Sequence, residues 1–359
     1  MTAYLLLFLA AAQPPPSEVP LASEEAQHLR DIRQLTRGFQ RAGEAYFSPD
    51  ARRIIFQAVT DDYPFYQIFT MKLDASGLNR VSTGRGKTTC SYFRPDGKKI
   101  IFASSHLDPK LDETEARGRR EADEEARARA ESAKAKKPYR GRRYQWDFDV
   151  HMDIFEANPE GTALVRLTTA PGYDAEGAYS PDGNQVVFCS LRDGDGEIYI
   201  MNADGSAPRR LTHRKGYDGG PFFSPDGKHV IFRGDPEEND HLQLFVINAD
   251  GTGERQLTRN QAVNWGPYWH PDGRHIIFAS SLATPEGSGR PNYDLFLMDV
   301  DTTRTERITF NPAADVLPVF SPDGKQVMWT STRSADRTSQ IFLADWIRGS
   351  RDSISRTSP

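Results

Sequence analysis

Short apolar runs follow one recurring polar phrase at regular intervals along this chain. The runs are Ile54-Ile55-Phe56, Ile100-Ile101-Phe102, Val186-Val187-Phe188, Val230-Ile231-Phe232, Ile276-Ile277-Phe278 and Val327-Met328-Trp329. The phrases before them are Ser48-Pro49-Asp50-Ala51, Arg94-Pro95-Asp96-Gly97, Ser180-Pro181-Asp182-Gly183, Ser224-Pro225-Asp226-Gly227, His270-Pro271-Asp272-Gly273 and Ser321-Pro322-Asp323-Gly324. Each is chemically a tight turn: Ser can cap it, Pro presets φ, and Gly accepts the left-handed conformation. A second apolar strand follows, then a second turn such as Asn202-Ala203-Asp204-Gly205. Each unit then ends on a short strand, at Val81-Ser82, Leu167-Thr168, Leu211-Thr212, Leu257-Thr258 or Ile308-Thr309.

One unit is therefore four antiparallel strands, A to D, and a repeat of roughly 45 residues is the length of a propeller blade. Strand B is apolar without alternation, which suits a sheet covered on both faces. The pattern predicts an all-β, six-bladed β-propeller. The sixth unit lacks its closing strand after Gln340–Asp345, whereas Ile32-Arg33-Gln34-Leu35-Thr36 precedes the first unit without a partner. The N-terminal segment is thus expected to supply strand D of blade six and to leave no open sheet edge.

The expected organisation is a signal peptide over 1–12, a linker over 13–30, the propeller over 31–346 with an insert at about 107–150, and a tail over 347–359. The apolar start is too short to span a bilayer and offers Ala10-Ala11-Ala12 for processing, so it reads as an export signal. That predicts a periplasmic or secreted protein with no membrane insertion after signal removal. A formal charge of −5 supplies no general attraction to nucleic acid. A monomer is expected. Cys90 and Cys189 are read as packing residues.

The phrases Ser224-Pro225-Asp226-Gly227-Lys228, Ile198-Tyr199-Ile200-Met201-Asn202-Ala203-Asp204-Gly205 and Arg209-Arg210-Leu211-Thr212 resemble the WD40-like propeller repeat of the TolB family, and Tyr179–Thr212 is nearest to its pattern. The resemblance runs from Ile32 to Trp346. It implies a periplasmic or secreted propeller that binds a protein. TolB proteins carry an α/β domain ahead of the propeller, and about thirty residues precede the first strand here, so membership of the Tol system is not implied. Peptidases with a propeller in front would show a Gly-x-Ser-x-Gly elbow, which is missing.

Strand alternation puts the A–B and C–D turns on one face of the ring and the more varied D–A and B–C loops on the other, where binding groups tend to sit. Eight residues before each turn Asp stand Ala42, Thr88, Asp174, Asp218, Asn264 and Asp315, with Glu44 and Glu176 two residues beyond their own loop positions. Around a channel mouth, Glu44, Asp174, Glu176, Asp218, Asn264 and Asp315 would form an acidic funnel for a divalent cation such as calcium, or for a basic peptide. Asp174, Asp218 and Asp315 are the candidate metal ligands. The alternative is that each Asp caps its own loop.

The insert is crowded with both charge signs from Glu113 to Lys137 and has no apolar stripe, so it reads as a solvated helical arm. Its aromatic, acidic end, Tyr144–Asp149, could fold back as a lid. His106, His151, His213 and His241 also map to this face but lack compact ligand spacing. The sequence is read as a non-catalytic scaffold whose loop face takes a protein, peptide or glycan. The alternative is a metal-assisted carbohydrate lyase or hydrolase, as in propeller-type oligogalacturonate lyases, if those histidines converge.

Overall fold

The computed structural model describes residues 17–18, 24–135, 147–284 and 291–347. Within them lie six antiparallel sheets, each the blade of a propeller. In blade three the strands are Asp174–Tyr179, Gln185–Ser190, Glu197–Asn202 and Arg209–Arg210, in spatial order A-B-C-D. Blades one, two, four and five repeat that order. The proposed signal, Tyr144–Trp146 and nearly all of the tail lie outside the described residues.

Three features recur in all six blades and explain the repeated phrases. First, one aromatic of strand B sits directly across from one of strand C: Phe56–Phe69, Phe102–Phe155, Phe188–Tyr199, Phe232–Phe245, Phe278–Phe296 and Trp329–Phe342. Their ring centroids are 5.5–6.4 Å apart. All six strand-B rings are buried, so these cross-strand pairs form the wall between neighbouring blades.

Second, the hydroxyl closing each Leu-Thr phrase accepts a hydrogen bond from the first inner amide of strand C. The pairs are Ile68–Ser82, Ile154–Thr168, Ile198–Thr212, Leu244–Thr258, Leu295–Thr309 and Ile341–Thr36, at 2.8–3.0 Å. Strand D is only two or three residues long in most blades, and the hydroxyl satisfies an amide that the short strand cannot reach.

Third, every strand A carries a β-bulge at the same place, described below with the site. In four turns the opening Ser hydroxyl donates to the turn Asp, at 2.6–2.7 Å, as at Ser180–Asp182.

Blade six closes as expected. Leu29–Gln34 pairs antiparallel with Gln340–Trp346, and Thr36 performs for blade six the same task that Thr212 performs for blade three. Ser17–Glu18 adds a short fifth strand, inside the segment expected to be linker.

The insert is a helix, α1, over Leu111–Lys134, but its first half is docked rather than solvated. Glu115 is buried and accepts from Tyr63 Oη and Arg85 Nε, both at 2.7 Å, and from the Gly86 amide at 3.2 Å. Burial pushes the Glu115 carboxyl up, but these three donors outweigh it and hold the group below its usual range. Gly118 lies so close to Phe65 that a Cβ there would approach the ring to 2.3 Å. The solvated-arm expectation is thus corrected for this half, because polar contacts hold the helix where an apolar stripe is missing.

Candidate functional site

The left-handed residue of each strand-A bulge sets the geometry of the axial channel. Glu44, Cys90, Glu176, Gly220, Gly266 and Leu317 all have φ between 48° and 60°, one per blade. In each case the register with strand B shifts around that residue, as between Ala175 and Ala178. In a regular strand, residues two apart share a face. The bulge breaks that rule and turns the left-handed residue into the channel.

The funnel residues therefore separate into two groups. Asp174, Asp218 and Asp315 do not line the channel; they are fully buried, each at the head of its strand A. Arg192 donates to both oxygens of Asp174 at 3.0–3.1 Å, and Arg333 donates to Asp315 at 2.6 Å while Trp329 Nε1 adds a bond at 3.0 Å. Asp218 pairs with Arg214 through one oxygen and leaves Oδ2 without a hydrogen-bond partner, and burial pushes its carboxyl up to about 7. Asn264 is held by Ser280, Gln243 and Asn260.

Each Asp is tied to an arginine of its own loops, so the three do not meet as ligands of one ion. Among the described residues, no group of three His, Cys, Asp or Glu side chains is placed to hold a metal. The histidines do not converge either. His106 packs on Phe155, His151 lies 3.5 Å from Asp108, His213 is exposed, and His241 is half-buried in another loop.

Glu44 and Glu176, by contrast, face a cavity of about 370 Å³ on the axis. Its floor is formed by Tyr46, Phe222 and Tyr268, which cluster with Tyr92 at centroid distances of 5.1–6.2 Å and with a Tyr92–Tyr268 hydroxyl bond of 3.0 Å. The rings come from the next inward position of four A strands and plug the channel toward the turn face. The rim lies on the D–A and B–C loop face, where exposed Arg41 and Asp147 join the lining. The result is a cup that opens to the loop face.

Inside the cup the two carboxylates differ. Glu176 is matched: Arg233 donates at 2.7 Å, Tyr217 Oη lies 3.1–3.2 Å from both oxygens, and the Gly220 amide donates as well. Arg233 reaches it only because blade four has Gly219 and Gly220, where a Cβ would collide with Tyr217 and with Arg233. Glu44 has no basic side chain within ion-pair distance among the described residues. Its contacts are the Tyr46 hydroxyl at 3.4 Å and the Cys90 thiol, and its amide donates to Thr330. Burial, reinforced by the charge of Glu176, pushes the Glu44 carboxyl up to about 7.

The rim carries its own pairs. Lys87 bridges Asp147 and Asp149 at 2.7 and 3.0 Å, and Phe148 packs between Tyr173 and Tyr217. The described part of the expected lid, Asp147–Asp149, thus does return to the channel mouth. Cys90, read as a packing residue, lines the cup instead; Cys189 is buried as expected and donates to the Asp218 carbonyl at 3.2 Å.

Tyr217, Arg233 and the aromatic floor were not singled out from sequence. The signal for the cup was nonetheless present: Glu44, Cys90, Glu176, Gly220, Gly266 and Leu317 all stand six residues before a turn Asp, and two of them are glycines followed by proline.

The propeller is closed by pairing of Leu29–Gln34 with Gln340–Trp346, and its axial cup opens to the variable loops. The repeats resemble those of TolB: the TolB beta propeller domain profile matches residues 147–235. A TolB homolog of Chlorobium luteolum is 28% identical over 164 residues, which is 42% of this chain and 35% of that protein's length. Among solved structures, a TolB candidate from Agrobacterium tumefaciens superposes with TM-score 0.57 at 19% identity, covering 86% of this chain and 91% of that one. TolB from Acinetobacter baumannii gives 0.54 at 18%, with coverages of 88% and 66%. An oligogalacturonate lyase from Vibrio parahaemolyticus gives 0.53 at 12%, with coverages of 88% and 93%. Likeness at these identities concerns the fold. Among the described residues no helix is long and apolar enough to cross a membrane.

Proposed function

We propose that this protein is a periplasmic or secreted binding propeller whose partner inserts a segment into the axial cup from the loop face, without catalysis. The observation that carries this reading is the cup itself: a cavity of about 370 Å³, floored by aromatic rings and holding one unmatched carboxylate. Kinship with TolB and the apolar start over 1–12 support export. A partner protein or peptide suits the cup's size and aromatic floor. The three buried aspartates act as loop anchors, and calcium bound through them is not part of this proposal.

A lyase would need His106, His151, His213 or His241 to gather near a carboxylate around a metal, and among the described residues no such grouping supports it. The test is capture from periplasmic extract by the full chain and by Val316→Trp, which fills the cup from its wall. A partner retained by the wild type and lost by the variant is expected; equal capture would put the binding surface elsewhere. Release of unsaturated product from oligogalacturonate with manganese would instead establish the enzyme alternative.

A further inference from the structure

Four of the six left-handed bulge residues are not glycine, and two of those are Glu. A non-glycine residue there is strained, and such strain persists where the side chain serves a purpose. Gly220 and Gly266 occupy the same slot in two blades, so the fold itself does not require a side chain there. Glu176 repays its position by fixing Arg233 and Tyr217. Glu44 makes no comparable set of bonds. Its carboxyl accepts from Tyr46 Oη at 3.4 Å, and Tyr46, Phe222 and Tyr268 line the same cavity, so aromatic rings and a carboxylate without a basic partner share one space.

Resting on the cup reading, we infer that the cup selects an alkylammonium group, paired to Glu44 and seated against the aromatic floor. Ring quadrupoles attract a cation, and a buried carboxylate gains most from a cation that enters with it. Of the other described cations facing this space, none reaches ion-pair distance of Glu44, although Arg233 acts on it at longer range. Arg233 is committed to Glu176, Lys87 to Asp147 and Asp149, and Arg41 lies at the rim over the Tyr66 ring, 4.8 Å from its centroid. A lysine side chain of a partner and a free small amine offer the same group.

The experiment is titration calorimetry of the full chain at about pH 8 with end-blocked Ala-Lys-Ala, its norleucine counterpart and n-butylammonium. The lysine peptide should bind at least about tenfold more tightly than the norleucine peptide, and Glu44→Gln should abolish that preference. Butylammonium matching the lysine peptide would identify a free amine as sufficient; a large advantage for the peptide would identify a protein side chain. Equal binding of the lysine and norleucine peptides, or an unchanged preference in Glu44→Gln, overturns the inference, as does failure of every ammonium probe to bind the wild type. The lysine–norleucine comparison uses wild-type protein and does not depend on the variant folding. If both peptides bind equally and Val316→Trp blocks both, the cup reading stands while the cation fails.

Discussion

Glu44 is a carboxyl group whose surroundings disfavour its charge: burial first, then the neighbouring Glu176, push it up to about 7. The folded protein therefore holds this proton more tightly than the unfolded chain, whose carboxyl titrates near 4.5. The stabilising contribution is complete below that value and is lost as pH rises through about 7. Glu44→Gln removes the titration. Denaturant unfolding should find the variant equal to the wild type near about pH 4 and more stable by about 1–3 kcal/mol near about pH 8. A constant difference across that range would mean that Glu44 ionises as freely as a surface group. Residue types at this site were readable in the sequence, but their directions were not. Asp174 and Glu176 are two apart and would share a face of a regular strand; only the bulge between Ala175 and Ala178 sends one into a salt bridge with Arg192 and the other into the channel.

Helix α1 shows the same limit at the scale of an element. Its docked side runs through Leu111, Thr114, Glu115, Gly118 and Ala122, at helical spacing. The residues are polar or small, so a search for an apolar stripe passes over them. The helix is latched by Glu115 to Tyr63 and Arg85 and fitted by Gly118 against Phe65. Glu115→Ala should speed trypsin cleavage at Arg117, Arg119 and Arg120 several-fold and accelerate amide exchange over 111–122. The melting transition of the propeller should fall by no more than about 1–2 kcal/mol equivalent, since only this local set of hydrogen bonds is lost. Unchanged cleavage and exchange would show that something other than this latch holds the helix. The strands, by comparison, were legible almost throughout, because turn chemistry and a six-times-repeated B–C aromatic pair state the same register in every blade.

At the scale of the whole molecule, the ring is held shut by a strand that lies about three hundred residues from its partner in sequence, the Thr36–Gln340 bond spanning 304. This closure is legible in the sequence because six Leu-Thr-like phrases match six A strands only if Leu35-Thr36 serves blade six, and in the fold each phrase supplies one strand-C amide with its acceptor. Beyond that hydroxyl, the closing strand buries Leu29, Ile32 and Leu35 almost completely. Burying three such side chains stabilises by roughly 5–9 kcal/mol, a sum comparable to the net stability of many domains. A chain beginning at residue 37 should therefore expose the edge at Gln340–Trp346 and aggregate or melt far below the full chain. Truncation alone would not distinguish a blade-completing strand from a segment that merely covers the surface. The discriminating pair is Thr36→Val and Thr212→Val. Each removes the acceptor of one buried amide, Ile341 or Ile198, and the donor to one buried side chain, Gln340 or Glu197, while keeping shape. If strand D of blade six is equivalent to those of the other blades, both variants should lose about 1–3 kcal/mol in denaturant unfolding, with the same sign and similar size. A Thr212→Val that is destabilised beside an unaffected Thr36→Val would mean that the first and last blades meet without being joined.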